Sequence, residues 1–173
     1  MEISFKTLNQ DLLNAYITVG KQSYREHYLH LWNKRNPKSY FEVSFSESQV
    51  HFEIGDLNCE NYLVQYGQEY AGILKLSKHR GWGPWPDREA LYLHRIYLLR
   101  AFSGKGIGSV TLQFVEAYAR KLGKKVIWLE TMKKGKALNF YNNNGFEIAG
   151  ETQIDLQGVL PDEKEMWILT KKI

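Results

Sequence analysis

A glycine-rich segment in the second half of the chain has the composition of a phosphate-binding turn. It joins a predicted strand to the start of a strongly amphipathic predicted helix, and it consists of Ser103, Gly104, Lys105, Gly106, Ile107, Gly108 and Ser109. Glycines let the backbone turn tightly with its amides pointing outward, and a helix N-terminus adds partial positive charge. Main-chain N–H groups can therefore hold a phosphate or pyrophosphate here, with further charge from Arg100 and Lys105.

Three kinds of ligand compete for such a turn: a nucleoside triphosphate, a dinucleotide and an acyl-coenzyme A. A triphosphate loop requires Ser or Thr after its lysine, whereas Gly106 follows Lys105 here. A dinucleotide turn requires a third glycine where Ser109 and Thr111 stand. Neither of these two motifs is complete in this chain.

Length and composition predict one globular domain over residues 1–173. The chain has 173 residues, of which 43% are hydrophobic and 24% charged, and this size can bury a full core. Its longest apolar runs fall far short of the ~20 residues of a membrane helix, and its first residues lack a signal-peptide pattern. We therefore expect a cytoplasmic chain with no membrane partner. The single cysteine, Cys59, excludes an internal disulfide and a multi-cysteine metal site, and no metal is expected.

The net charge of +4 permits an anionic partner without indicating nucleic acid. The 23 basic residues stand against 19 acidic ones, which is not the asymmetry of a dedicated nucleic-acid binder. Aromatic residues make up 14% of the chain, so they suit the lining of a cavity or an interface as well as a core. Exposed end strands and this aromatic content are compatible with a homodimer.

The order of the predicted elements indicates one mixed α/β domain. Seven strands are predicted, over residues 3–6, 61–66, 70–76, 90–99, 126–130, 146–151 and 165–170. The first third is otherwise mostly helical, with capping patterns at Thr7 and Ser46, and two later helices cover residues 106–122 and 136–143. The strand at 126–130 is almost continuously apolar, so we expect it to be covered on both faces and parallel to the strand at 90–99. Residues 78–88 form a loop that carries Trp82 and Trp85.

Two segments of the chain carry a family resemblance. One runs from Ile96 to Gly108, and the other reads Ala137-Leu138-Asn139-Phe140-Tyr141-Asn142-Asn143-Asn144-Gly145-Phe146. In this order and spacing they resemble the GNAT superfamily of acetyl-coenzyme A-dependent N-acetyltransferases. The helical start and the stretch from Gly150 to Leu169 are similar to the branch of PaiA-type polyamine acetyltransferases.

The resemblance implies a fold and a co-substrate. The fold is a twisted, mostly antiparallel sheet of about seven strands with about four flanking helices, whose central parallel pair splays apart. The co-substrate is acetyl-coenzyme A. The residues implied to bind it are Ile96, Tyr97, Leu98, the turn from Ser103 to Ser109, Lys134 and Phe140.

The resemblance also implies direct attack of a primary amine on the thioester. Tyr141 is then the candidate general acid for the departing thiolate, and a backbone amide near Tyr97 or Leu98 polarises the carbonyl. His94 stands where related proteins often carry a glutamate and is the candidate base. Strand alternation predicts that His94 shares a face with Ile96 and Leu98. The other candidates for the base are Glu89, Glu130 and His79.

The acceptor is a small-molecule amine, a polyamine or a protein amine. We expect its site between the N-terminal helices and the loop with Trp82 and Trp85, because loops at strand ends carry specificity and aromatic rings attract alkylammonium groups. The acidic residues that could face this site are Asp87, Glu89, Glu26 and Asp56.

Two positions depart from the family pattern. Ser103 stands where the family usually has Arg or Gln, and Lys134 stands where it often has Asn. Both change the side chains available to the co-substrate. The alternative interpretation is therefore a module that binds coenzyme A without performing chemistry.

Overall fold

The computed structural model of the protein describes residues 2–173. Seven strands and five α-helices follow one another along these residues. The strands are β1 (Ile3–Thr7), β2 (Cys59–Tyr66), β3 (Glu69–Ser77), β4 (Ala90–Leu98), β5 (Val126–Met132), β6 (Glu147–Gln153) and β7 (Glu165–Lys172). The helices are α1 (Leu13–Tyr28), α2 (Lys38–Phe45), α3 (Glu47–Gly55), α4 (Ile107–Lys121) and α5 (Ala137–Asn143).

The strands form a single sheet in the order β1-β2-β3-β4-β5-β7-β6. Each neighbouring pair is antiparallel except β4 and β5, which are parallel. The crossover between these two strands contains α4, as parallel neighbours require a long connection. The predicted mixed, mostly antiparallel sheet with a central parallel pair is confirmed.

Helices cover the middle of the sheet on both faces. On one face α4 and α5 bury residues such as Ile107, Leu112 and Tyr141 against the strands. On the other face α1, α2 and α3 bury Tyr16, Phe45 and Val50 against β2 and β3. β5 is also buried on both faces, because Ile127 and Leu129 join the α4 core while Val126 and Trp128 pack with Trp82 and Trp85, as its apolar run predicts.

The two predicted caps have different outcomes. Ser46 begins α3, and its Oγ accepts a hydrogen bond from the Gln49 N–H at 3.3 Å, as predicted. Thr7 was expected to do the same for the first helical turn but lies in β1. Asn9 takes that role, because its Oδ1 accepts the N–H of Leu12 at 3.1 Å.

The parallel strands β4 and β5 pair only near their first residues. Their register joins Ala90–Tyr92 to Val126–Trp128, although β4 continues to Leu98 and β5 to Met132. Beyond Tyr92, β4 stays paired with β3, while no strand among residues 2–173 pairs with its opposite edge. The predicted splay is confirmed, and it leaves an open main-chain edge in the middle of the sheet.

A β-bulge in β4 reverses the alternation of its side chains. Leu93 lies opposite Leu76 and Arg95 lies opposite Lys75, so His94 is an extra residue on β4. Ile96 and Leu98 still pack with the α4 core, whereas His94 lines the same cavity as Arg95. The prediction that His94 shares a face with Ile96 and Leu98 is wrong, because simple alternation does not account for an inserted residue.

Candidate active site

The glycine-rich turn leads into the N-terminus of α4. Gly104 and Gly106 have φ angles of +75° and +76°, a left-handed conformation that side chains disfavour. Nothing lies within 4 Å of the place that a Cβ would take at either residue. From the part of the chain that the structure describes, no side chain caps the first turn of α4. Its amides and the positive end of its dipole therefore face open space, as anion binding requires.

Residues beside the turn fix its position relative to α1. The main-chain N–H of Arg100 donates to Glu26 Oε2 at 2.6 Å, and the Arg100 guanidinium donates to the Glu26 carbonyl oxygen. Lys105 places its Nζ 4.9 Å from the ring centroid of Phe102. Glu26, a candidate for the acceptor site, therefore anchors the turn instead.

The last residues of β4 lie along the open edge left by the splay. Ile96 and Leu98 pack into the α4 core, and the Tyr97 hydroxyl lies 2.7 Å from that of Tyr40. His27 Nε2 donates to the Leu98 carbonyl oxygen at 3.0 Å, which ties α1 to the end of β4. These three sequence-predicted residues thus occupy the unpaired stretch between the turn and the centre of the sheet.

A cavity of about 270 Å³ lies between the splayed strands and the N-terminal helices. Tyrosines supply much of its wall, namely Tyr24, Tyr28, Tyr40, Tyr92 and Tyr97. The ionisable residues that line it are His94, Arg95, Glu130 and Asp155. The N-terminal helices contribute Tyr24, Tyr28 and Tyr40 to this wall, and the use of the cavity by an acceptor stays a prediction.

His94 faces this cavity from the bulge in β4. Its ring centroid lies 5.1 Å from that of Tyr92. Burial, together with the positive charges of Arg95, Lys75 and Arg80, holds the pKa of the His94 imidazole well below its usual value. His94 is therefore neutral at pH 7 and can accept a proton, although it is a weak base.

Tyr141 lies in α5 on the other side of the sheet core. Its ring centroid is 5.1 Å from that of Phe140 and 5.6 Å from that of Phe146. Burial, with a contribution from Tyr28, raises the pKa of the Tyr141 hydroxyl above its usual value. The hydroxyl therefore keeps its proton throughout the ordinary pH range and can act as a donor.

Of the three alternative candidates for the base, Glu130 lines the cavity and the other two do not. Glu130 lines it from β5, and its Oε2 accepts a hydrogen bond from the Tyr92 hydroxyl at 2.8 Å. Glu89 pairs with Lys125 at 3.0 Å, and His79 Nδ1 lies 3.4 Å from Lys124 Nζ. Glu89 and His79 are absent from the cavity wall formed by the described residues.

The loop with Trp82 and Trp85 does not line the cavity, in contrast to the prediction. Trp82 packs on Trp128 with ring centroids 6.4 Å apart, and it also covers Gly150. Neither Trp82 nor Trp85 belongs to the cavity wall within residues 2–173. The two rings pack instead against the first residues of β4 and β5 and cover that end of the sheet.

The remaining acidic candidates have local partners outside the cavity wall. Asp87 Oδ1 accepts the N–H of Gly81 at 2.6 Å, and Asp56 Oδ1 accepts the N–H of Asn58 at 2.8 Å. Both carboxylates thus stabilise turns of their own loops. The acidic residues at the cavity are instead Glu130 and Asp155.

Lys134 has its ammonium group bound within the protein. Nζ donates to the Asp162 carbonyl oxygen at 2.6 Å and lies 3.3 Å from Glu163 Oε1. These contacts join the segment after β5 to the turn before β7. They leave the ammonium less available for an external phosphate.

Sequence reasoning missed Arg95. This residue is buried, with only 4% of its surface exposed. Its guanidinium carbon lies 5.0 Å from the ring centroid of Phe45. A signal was present, because a charged residue within the apolar strand Ala90–Leu98 is unusual.

One family model matches most of the chain. The model of the "Acetyltransferase (GNAT) family" matches residues 21–146. The chain belongs to this family. The predicted GNAT resemblance is confirmed.

Curated relatives of this GNAT protein carry acetyltransferase names. An uncharacterized N-acetyltransferase in the pepI 3′ region of Lactobacillus delbrueckii subsp. lactis is 26% identical over 161 residues, covering 92% of this chain and 91% of the relative. The uncharacterized N-acetyltransferase YesJ of Bacillus subtilis is 35% identical over 86 residues, covering 49% of this chain and 46% of the relative.

Solved structures share the fold of this GNAT protein at low sequence identity. The PaiA N-acetyltransferase of Thermoplasma acidophilum, in complex with coenzyme A, superposes with a TM-score of 0.79 at 20% identity and covers 100% of both chains. A spermidine N-acetyltransferase SpeG chimera from Vibrio cholerae and hSSAT superposes with a TM-score of 0.72 at 14% identity, covering 99% of this chain and 96% of the chimera.

None of the helices in residues 2–173 is long and apolar enough to cross a membrane. The same residues contain no group of three or more His, Cys, Asp or Glu side chains that could hold a metal ion.

Proposed function

We propose that this GNAT protein transfers an acetyl group from acetyl-coenzyme A to a primary amine in a ternary complex. The observation that carries the proposal is the position of the β4 edge. It is open beyond Tyr92, and this open stretch includes Ile96 to Leu98, between the glycine-rich turn and the aromatic cavity. One ligand can therefore contact the turn and the edge while another occupies the cavity.

The residues present fit acetyl-coenzyme A. Gly104 and Gly106 leave open space where side chains would stand, so a pyrophosphate can approach the amides at the start of α4. The unpaired edge of β4 can bind an extended pantetheine arm as a further strand would be bound. A PaiA N-acetyltransferase in complex with coenzyme A and a GNAT acetyltransferase of Elizabethkingia anophelis with acetyl-CoA bound share the fold, which supports the assignment.

Acetyl-coenzyme A supplies an acetyl group whose carbonyl carbon is open to attack. The amine nitrogen forms the new C–N bond there while the C–S bond breaks. A main-chain N–H of Tyr97 or Leu98 would stabilise the negative charge that develops on the carbonyl oxygen. Direct attack needs no nucleophile from the protein.

Three proton transfers accompany this reaction: the acceptor nitrogen loses one proton before attack and a second as the amide forms, and the departing thiolate gains one. The ammonium of the acceptor loses one before attack, and His94 is the proposed base because it is neutral and faces the cavity. Glu130 is the alternative base, since its carboxylate lines the same cavity from β5. The departing thiolate gains a proton, which we assign to the Tyr141 hydroxyl because burial keeps that group protonated.

The bound state of Lys134 supports a second candidate function, a coenzyme A-binding module without chemistry. Lys134 is held by Asp162 and Glu163, and Ser103 adds no charge to the turn. The charged side chains beside the turn would then be Lys105 and Arg100, of which Arg100 is itself hydrogen-bonded to the Glu26 carbonyl oxygen. A regulatory module of this kind would bind coenzyme A and acetylate nothing.

Release of free thiol from acetyl-coenzyme A, measured with a panel of amines, distinguishes the two functions. We expect thiol release that depends on an amine and an acetylated product of matching mass. Binding of coenzyme A with no product from any amine would favour the module, and absence of binding would contradict both. The single domain over residues 1–173, the cytoplasmic location and the homodimer stay predictions.

A further inference from the structure

Arg95 is a buried cation whose hydrogen-bonding groups are largely unused. The residue is 4% exposed, and among the described residues neither Nε nor Nη1 has a hydrogen-bond partner. Its guanidinium lies against aromatic rings, 5.0 Å from the centroid of Phe45 and 5.9 Å from that of Tyr40. A buried charge without hydrogen bonds is costly, so this arrangement requires a compensating group.

The nearest ionisable residues leave one positive charge uncompensated. Lys75 lies directly opposite Arg95 in the β3–β4 register, and Lys75 Nζ pairs with Glu53 Oε1 at 2.5 Å. Glu53 also accepts hydrogen bonds from Asn61 and Gln49. The single carboxylate is therefore used by Lys75, and burial together with the charge of Arg95 lowers the pKa of the Lys75 ammonium.

Arg95 belongs to the wall of the aromatic cavity. The acidic residues of that wall lie on other elements, with Glu130 on β5 and Asp155 after β6. Glu130 already accepts the Tyr92 hydroxyl. The cavity thus presents a cation on β4 and a carboxylate on β5, which suits a ligand that carries charges of both signs.

We infer that the cavity binds an amine acceptor that also carries a carboxylate, with the carboxylate held by Arg95. A guanidinium presents parallel N–H donors that match a carboxylate in a bidentate geometry. The tyrosine-rich walls fit an apolar or aromatic side chain on the same molecule. The acceptor is therefore of the amino-acid class and not a polyamine, because a polyamine would bring further positive charge to Arg95. Acetylation of the bound amine rests on the proposed function, whereas binding of the carboxylate by Arg95 does not.

Calorimetric titration of matched ligands tests the inference without turnover. Each apolar or aromatic L-amino acid is compared with the amine formed by its decarboxylation, for example L-phenylalanine with phenethylamine, on the protein saturated with coenzyme A. A charge-assisted pair contributes about 1.5–3 kcal/mol, so we expect the amino acid to bind about tenfold or more tighter for at least one pair. Equal or tighter binding of the amine in all pairs, or no binding of any amino acid, would overturn the inference.

Substitutions at Arg95 test whether this residue causes the preference for the amino acid over the matching amine. The Arg95→Met variant should lose the preference for the carboxylate, and Arg95→Lys should keep a weaker one. Arg25→Met is the matched control, because Arg25 also stacks on a ring, 4.9 Å from the centroid of Phe41, but does not line the cavity. A preference that persists in Arg95→Met would contradict the inference.

The two proposals can fail separately. Binding of amino acids with no thiol release would contradict acetyl transfer and leave the carboxylate site standing. Thiol release with polyamines, and with no amino acid bound, would support acetyl transfer and contradict the carboxylate site.

Discussion

The ring of Phe140 in α5 lies against Gly108 in the first turn of α4. A Cβ at Gly108 would stand 3.0 Å from Phe140 Cζ and 3.2 Å from its Cε2. The two segments that carry the family resemblance therefore touch through an aromatic ring and a missing side chain. The N-terminus of α4 is positioned by α5 as well as by its own turn.

The Gly108→Ala variant should be less stable than the original protein. Overpacking costs about 1–3 kcal/mol and offsets the gain of ~1 kcal/mol that Ala normally brings to a helix. Gly55→Ala is the control, since nothing lies within 4 Å of its Cβ position. Urea unfolding measures both variants, and addition of Phe140→Leu should restore the stability of Gly108→Ala. A Gly108→Ala variant as stable as Gly55→Ala would show that the contact is not tight.

The Gly106→Glu variant should lose binding of coenzyme A. A side chain at this position would fill the open space before α4, and its negative charge would repel a phosphate. Gly123→Glu is the matched control, because Gly123 follows the other end of α4 with φ +67° and equally open surroundings. Both variants bear similar backbone strain, so calorimetry should show loss of binding only for Gly106→Glu. Loss in both would indicate a general effect on α4.

The Tyr141→Phe variant should keep its affinity for coenzyme A and lose turnover by about 10²–10⁴-fold, the usual contribution of general acid–base catalysis. The ring stays in place between Phe140 and Phe146, and only the proton donor is removed. Tyr118→Phe on α4 serves as a control for removal of a hydroxyl packed beside the same core. Unchanged kcat in Tyr141→Phe would contradict its assignment as general acid.

Folding stability should fall as the pH drops below about 6.5, the pKa of an unperturbed histidine. The pKa of His94 is held well below that value by burial and by neighbouring positive charges. In this range the unfolded chain binds the proton and the folded protein does not, so stability decreases toward acid by about 1.4 kcal/mol per pH unit. Urea unfolding at several pH values should show a shallower decrease for His94→Gln. Parallel curves for the two proteins would mean that His94 titrates normally.

The Glu53→Gln variant should lose about 3–5 kcal/mol of stability, because it leaves Lys75 buried without its carboxylate and beside the positive charge of Arg95. Glu42→Gln is the control. Glu42 pairs with Lys38 at 3.7 Å, but both side chains are well exposed, so the loss should be ~1 kcal/mol or less. Arg95→Met should cost less stability than Glu53→Gln, because the charges of the remaining Glu53–Lys75 pair compensate each other. Equal losses in the two glutamate variants, measured in urea, would contradict this account.

Sequence alone was sufficient to predict the strands, the order in which strands and helices follow one another, and the glycine-rich turn before α4. These features follow from local patterns, such as the period of apolar residues and the glycines from Gly104 to Gly108. It was not sufficient for the direction of side chains beyond Leu93, because the bulge at His94 is set by pairing with β3. The position of Trp82 depended in the same way on contacts with Trp128 and Gly150 that are distant in sequence.

The charged residues of the central strands show the same limit. Lys75 and Arg95 are separate in sequence, and only the β3–β4 register places them opposite each other. Glu53 reaches Lys75 from α3. A sequence pattern can mark each of these residues as unusual within an apolar segment, but their balance of charge is a property of the assembled fold.

The gap between β4 and β5 also bears on aggregation. An unpaired strand edge usually invites pairing with another chain, and proteins protect such edges at the margins of their sheets. Here the free edge of β4 is recessed between two strands of the same sheet and beneath helices on both faces. A slender, flexible molecule can complete its hydrogen bonds, whereas a strand of a neighbouring protein would have to pass between β4 and β5 to reach it. The protein therefore keeps an open edge for a small ligand without presenting it for self-association.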